Sequence, residues 1–306
     1  MARYAIGRLL QAVLVLWLLT VIVFAISRIS GSPVDLIVPL GAGPETRERL
    51  IEEFGLDQPL HVQYVKFLGN ALQGDFGQSI RFQAPALELV LDRLPATLKL
   101  AGAALLLAIV VGIPLGMLGA VAHGRRADHV VTAFLTVGQA TPSFWLGILL
   151  ILFLGVKLEL LPIAGDQGFE SLIMPAVALS IVPLVTVARL TRSSMIGVLR
   201  EDYVRTARAK GLRRRRVLYR HAAPNGLMPV VTVIGISLAE LVSGAVITEQ
   251  VFSWPGIGRL AVESINARDF PVVQAVTIVA ATGIVLSSLL VDFVQIATDP
   301  RVRDDL

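Results

Sequence analysis

Six apolar runs, at about 9–26, 95–121, 130–156, 172–188, 228–248 and 272–297, govern what this chain can fold into. An α-helix rises about 1.5 Å per residue, so roughly 20 apolar residues cross the ~30 Å hydrocarbon core of a bilayer. A backbone in hydrocarbon must satisfy its own hydrogen bonds, which selects helices for such runs. With 55% hydrophobic and 16% charged residues and a mean hydropathy of +0.73, the chain is too apolar for an ordinary soluble domain. The expectation is an all-α integral membrane protein with six transmembrane helices. Pro114, Pro142, Pro175 and Pro183 lie in or near these runs. They are expected as kinks, because neighbouring helices can re-satisfy the freed carbonyls.

Charge orients the spans. Arg3 and Arg8 precede the first run, as in a signal peptide. That run is long for one, and Ser27-Arg28-Ile29-Ser30 is a poor cleavage site, so a retained first span is expected. Arg125 and Arg126 follow the second span, eleven Lys and Arg fall between Arg189 and Arg220, and Arg301 and Arg303 sit in the tail. The loop Lys157–Ser171 instead sets one lysine against Glu159, Asp166 and Glu170. With the N-terminus inside, six spans put every base-rich loop in the cytoplasm, together with both termini.

The domains expected are the N-terminus and first span over 1–28, an extracytoplasmic subdomain over 29–94, a five-span core over 95–298 and a cytoplasmic tail over 299–306. The subdomain holds nine acids against five bases, and Pro44–Phe54 has helical periodicity. Within the core, a polar loop occupies 189–227 and a hairpin at the outer face 249–271.

The loop segment Arg200–Pro229 is the only long polar stretch among the later spans. Glu201 and Asp202 open it, its bases come late, and Gly211 follows, which punctuates a short helix. Glu201 and Asp202 stand four and three residues before Arg205, so the exposed face can pair with itself. Val204, Ala207 and Gly211 share a small, smooth face that could let another protein come close. Two readings follow: a docking helix, or a solvated loop whose arginines only fix topology.

Resemblance separates them. YVRTARAKGL and RRVLYRHAAPNGLMP, over 203–229, resemble the EAA-type cytoplasmic loop of ATP-binding cassette importer permeases, nearest to the dipeptide and oligopeptide subfamily. GLDQPLHVQY, GDFGQS, RLPATLKLA, FSWPGIGRL and DPRVR resemble the same subfamily, so the likeness runs from about residue 4 to 303. The resemblance implies a type I importer permease fold in the bacterial inner membrane. Its loop forms a coupling helix seated in a cleft of the ATPase subunit, with Glu201, Tyr203, Arg205, Ala207, Lys210 and Gly211 as the expected coupling residues. The family's Ala and Gly match Ala207 and Gly211; the glutamate naming the wider motif is replaced by Arg205, and Pro224 is also a departure that could alter the exit from the loop. Implied partners are a homologous second permease, two ATP-binding cassette ATPases and an extracytoplasmic substrate-binding protein, all set in or against membrane lipid. ATP and magnesium would belong to the ATPases, and this chain would hold no cofactor.

The residues themselves offer little catalysis. There is no G-x-x-x-x-G-K-[ST] phosphate loop, no H-E-x-x-H, no G-x-S-x-G and no cysteine, and the four histidines show no ligand spacing. No catalytic or metal residue is therefore expected, and the chain is read as a non-enzyme. Nucleic acid is a poor match for a basic cluster fenced by spans and lacking interleaved aromatics.

Polar residues within spans become pathway candidates: Gln139 and Ser143 around Pro142, and Ser237, Glu240 and Ser243 in the fifth run. Glu240 is the hardest to treat as packing, because a mid-span carboxylate costs about 2.5–3.5 kcal/mol on insertion scales. In the outer hairpin, Phe252, Trp254, Pro255 and Gly256 read as a turn cluster whose aromatics could anchor at the membrane interface. A secondary transporter or channel using Glu240 remains a rival, though no internal inverted repeat is visible in the six spans. Glutathione and chelated nickel are alternative cargoes to peptides.

Overall fold

The computed structural model describes residues 2–29, Glu45 and 57–298, with the side chains of 2–5, 239, 243, 244, 290 and 292–298 outside the description. The helix expected over Pro44–Phe54, apart from Glu45, and the tail at 299–306 therefore lie outside the described residues.

Among the described residues every long element is a helix: α1 Ala2–Ile29, α2 Leu60–Leu72, α3 Ala86–Val121, α4 Arg126–Ala140 and α5 Ser143–Lys157. They continue as α6 Phe169–Val198, α7 Asp202–Ala209, α8 Arg214–Gly226, α9 Met228–Val251, α10 Ile257–Asn266 and α11 Phe270–Thr298. Four of these, α1, α3, α6 and α11, are each long and apolar enough to cross a membrane. The count reaches six when the bent pairs α4–α5 and α8–α9 are each taken as one span.

The third apolar run differs from its expected form as one kinked span. It breaks into α4 and α5, inclined at 97° to each other. Pro142 lacks an N–H, and its ring drives the preceding residue out of the helical region. Accordingly Thr141 and Pro142 adopt extended ψ angles of 115° and 136°. Thr141 ends α4 by turning its hydroxyl back onto the Val137 carbonyl at 2.8 Å. Pro175 and Pro183, in contrast, sit within the unbroken α6, both buried by its neighbours.

The described residues form two compact units, one drawn from 1–95 and 255–285 and the other from 96–254 and 286–306. In the first, α1 and α2 pack through Phe24, Tyr64 and Phe67, and the Thr20 and Tyr64 hydroxyls bond at 2.8 Å. Ala86, Val90, Ile257, Leu260, Val272, Ala275 and Val276 make its core. Beside them the wholly buried Asp269 accepts hydrogen bonds from the Ser79 hydroxyl at 2.5 Å and the Arg81 N–H at 3.2 Å, pinning the 79–82 turn.

In the second unit α6 is the central helix, with α4, α5 and α9 packed on it. The C-terminal part of α3 approaches it along a ridge of small residues. Gly112 and Gly116 form a G-x-x-x-G pair, and a Cβ on Gly116 would overlap the Ala188 carbonyl and Thr191. A Cβ on Gly112 would lie 2.9 Å from the Leu184 carbonyl. Removing side chains at such a contact lets two helix backbones meet and gather dispersion energy, which is what associates helices inside a membrane.

Candidate functional site

α7 is where the sequence concentrates its functional expectations. Glu201 is its extended N-cap, Asp202 lies in its first turn and Arg208 in its last. Gly211 terminates it at φ +76°, the left-handed conformation that glycine adopts without a Cβ penalty. Arg205 Nη1 lies 3.2 Å from Asp202 Oδ1, both side chains largely in solvent.

The small face is a correction. Val204 and Ala207 do not face outward toward a partner; both are buried against Met117, Ala120, Met195, Val217, Ala222 and Ala223 of this chain. The physical reason is the same smallness, which lets α7 lie flat on the ends of α3, α6 and α8. What α7 offers outward is Tyr203, Arg205, Arg208, Ala209 and Lys210, all exposed, with Glu201 before them and Gly211 after. Asn225 Nδ2 donates to the Tyr203 hydroxyl at 2.9 Å, tying α7 to α8 a second time.

The departure at Pro224 also has a local account. α8 widens to a π-helix over Val217–Ala222 before Pro224 enters its last turn. Proline cannot donate to the preceding turn, so Pro224 falls at the start of the short last turn Ala223–Gly226, where a missing N–H costs least.

Next to α7 lies a cluster that reading the sequence did not find. Asp128, buried in the first turn of α4, accepts from Arg192 Nε at 2.6 Å and Arg192 Nη2 at 2.8 Å. The Gly124 N–H donates to it at 2.9 Å, and His123 Nδ1 lies at 3.2 Å. This two-point guanidinium contact fastens the 122–125 turn to α6. An acid just after the turn Gly124-Arg125-Arg126 was the available signal, but its partner is 64 residues away.

The pathway candidates stand in different settings. Gln139 is exposed and borders a mainly apolar cleft lined by Leu135, Val185 and Leu190 as well as Thr132 and Arg189, whereas Ser143 is half-buried at the start of α5. On α9, Ser237 is buried and Glu240 exposed; the side chain of Ser243 lies outside the described residues.

The hairpin aromatics need a second correction, since Phe252 and Trp254 are core residues rather than interface anchors. Both are buried, Phe252 against Met174 and Ala178, and Trp254 among Leu100, Ala104, Leu179 and Leu241. The Trp254 indole N–H donates to the Ala96 carbonyl at 2.8 Å, so its one polar atom is satisfied. Pro255 follows, half-buried, and Gly256 is the extended N-cap of α10. The turn is organised by Glu249, also missed in the sequence: it is wholly buried, its carboxylate takes the Thr97 hydroxyl at 2.6 Å, and its carbonyl takes the Trp254 N–H at 2.8 Å.

Comparison with known proteins follows the same lines. Residues 112–304 match the family model described as binding-protein-dependent transport system inner membrane component, and residues 1–101 match the N-terminal model of such membrane components. The chain is 39% identical to the oligopeptide transport system permease protein AppB of Bacillus subtilis, across 99% of this chain and all of that protein. It is 38% identical to the dipeptide transport system permease protein DppB of Escherichia coli K12, covering 93% and 94% of the two. It is 37% identical to the glutathione transport system permease protein GsiC of Escherichia coli O1:K1, covering 99% of each. A structure of the MetNI methionine ABC transporter in an inward-facing conformation shares the fold, with TM-score 0.59 and 19% identity over 69% of this chain and 96% of the other. This chain belongs to the family of binding-protein-dependent transport system inner membrane components, as a multi-pass permease of the ATP-binding cassette importers.

Proposed function

We propose that this chain is one of two permease subunits of a peptide importer, and that α7 is where it receives force from an ATPase. The observation that carries the proposal is the two-sidedness of α7: an inner face locked to α3, α6 and α8, and an outer face of exposed polar residues. A push on such a helix is passed to span ends rather than absorbed by a loose loop. The substrate class is taken from the relatives, which are dipeptide and oligopeptide permeases.

In this reading both termini and α7 are cytoplasmic, consistent with the distribution of Lys and Arg. A substrate-binding protein delivers a peptide at the outer mouth, and two ATPase subunits bind ATP and magnesium. Closure of the ATPases drives α7, and the paired permeases alternate access. This chain performs no hydrolysis and needs no cofactor. Glu240, exposed on α9 in the single chain, would line the cavity shared with the second permease. A second reading of cargo, glutathione, is favoured by the relative GsiC.

The experiment contrasts the two faces of α7 in the assembled importer. Arg205→Glu should leave folding intact and abolish substrate-stimulated ATP hydrolysis. Val204→Asp buries a charge and should prevent folded permease from accumulating. Full stimulation by the Arg205→Glu complex would remove α7 from the mechanism. Uptake assays with a dipeptide, a longer peptide and glutathione decide the cargo; uptake without ATPase subunits would restore the secondary-transporter reading.

A further inference from the structure

A cavity of about 530 Å³ opens beside α7, between the end of α3, the 122–125 turn and the end of α6. Four arginines line it: Arg125, Arg200, Arg208 and Arg214. Among the described residues, no carboxylate lies within 4.0 Å of any of these guanidiniums. Asp128, which His123 touches at the cavity edge, has both oxygens engaged by Arg192. Four exposed guanidiniums around one hollow, one of which also donates to the Val121 carbonyl at 3.4 Å, make a site that attracts anions, and a guanidinium pairs best with the oxygens of a phosphate or carboxylate.

The remainder of the lining selects among anions. Val121, Ile196 and Leu199 make an apolar floor at the ends of α3 and α6. From Val121 a strip of apolar residues, Leu118, Pro114 and Val111, runs back along α3 at helical spacing, and all three are exposed. A polar cavity continuous with an exposed apolar strip on a spanning helix has the shape of a headgroup with its acyl chain. A soluble phosphate would use the arginines and leave the strip idle.

We propose that this cavity is a binding site for the headgroup of an anionic phospholipid of the cytoplasmic leaflet, with an acyl chain lying along Leu118, Pro114 and Val111. The site rests on the membrane orientation proposed above. Basic hollows near span ends on the cytoplasmic side are suited to such headgroups, because the leaflet itself supplies the anion at high local concentration. Since Arg208 belongs to α7 and Arg125 and Arg200 to the span ends, a bound phosphate would brace the helix that receives force.

The test uses the assembled importer, purified in detergent micelles supplemented with phosphatidylcholine and phosphatidylglycerol in equal parts, and counts retained phosphatidylglycerol by native mass spectrometry. The native complex should retain phosphatidylglycerol in preference to phosphatidylcholine. Arg125→Gln with Arg200→Gln should lower that affinity about thirtyfold, whereas Arg215→Gln with Arg216→Gln, the same charge loss outside the cavity, should lower it less than about threefold. Leu118→Gln should also weaken retention. Equal losses in the two double variants would overturn the site in favour of diffuse attraction to the membrane surface. Displacement by inorganic phosphate with no effect of Leu118→Gln would make it a soluble-anion site. Retention by the permease pair that vanishes when ATPase subunits join would assign the arginines to an acidic protein partner. ATP-driven peptide uptake is measured on the same preparations: uptake with no selective retention overturns the lipid site alone, and absent uptake with selective retention overturns the peptide-importer reading alone.

Discussion

The Thr97 hydroxyl donates a 2.6 Å hydrogen bond to Glu249 Oε1, joining α3 to the end of α9 between two wholly buried side chains. The contact spans 152 residues of sequence and holds the turn on which Trp254 is mounted. Removing one partner from a buried carboxylate costs about 1–3 kcal/mol. Thr97→Val, nearly the same shape without the hydroxyl, should lower thermal stability in detergent by that amount, and Thr97→Ser should restore most of it. Equal melting temperatures for Thr97→Val and the native chain would show that this bond contributes nothing.

Asp128 and Arg192 allow a sharper test, because the pair is asymmetric in burial. Arg192→Ala strands a buried carboxylate and should cost about 3 kcal/mol, as when one member of a buried ion pair is removed. Adding Asp128→Asn to it should recover part of the loss, since no uncompensated charge then remains. A double variant less stable than Arg192→Ala alone would contradict the assignment of the cost to the stranded charge.

Two glycines of α3 should respond oppositely to an added side chain. Gly116→Leu would collide with the Ala188 carbonyl and Thr191, forcing α3 away from α6. At Gly102 a Cβ meets nothing within 4 Å, so Gly102→Ala should be neutral or stabilising by up to about 1 kcal/mol through helix propensity. The yield of monodisperse protein after extraction reports the contrast. A fully folded Gly116→Leu protein would mean the close approach is dispensable.

Orientation can be read directly, because the chain has no cysteine. Single Asp57→Cys and Gln167→Cys proteins should react in intact cells with a thiol reagent that cannot cross the membrane. Arg216→Cys should react only after the cells are opened. Labelling of Arg216→Cys from outside would reverse the proposed orientation.

What could be read in advance divides by range. Apolar runs and the punctuation of α7 are local signals, and the helices and the stop at Gly211 follow them. The inward turn of Val204 and Ala207 was not legible, because a small face suits a close neighbour without saying whether it lies in the same chain. Asp128 with Arg192, and Thr97 with Glu249, join residues far apart in sequence, and no periodicity encodes such pairs. The G-x-x-x-G of α3 is a local pattern, but the helix it meets is about 70 residues further on. The break at Pro142 was marked by the proline, but proline alone does not separate a kink from a stop: Pro183 lies inside an unbroken helix whose neighbours cover it.

Trp254 gives the chain an optical property of its own. It has three tryptophans, of which Trp17 and Trp145 are about half exposed on this chain while Trp254 is sealed. With Trp17 and Trp145 replaced by phenylalanine, all indole emission would come from a ring in a dry setting, its N–H held by Ala96 and the Lys99 ammonium 5.3 Å from its centre. Emission there should be blue-shifted and deaf to aqueous quenchers for as long as the turn at Glu249 stays closed. Any step of the transport cycle that opens this turn would then register as a change of colour, with no foreign dye attached.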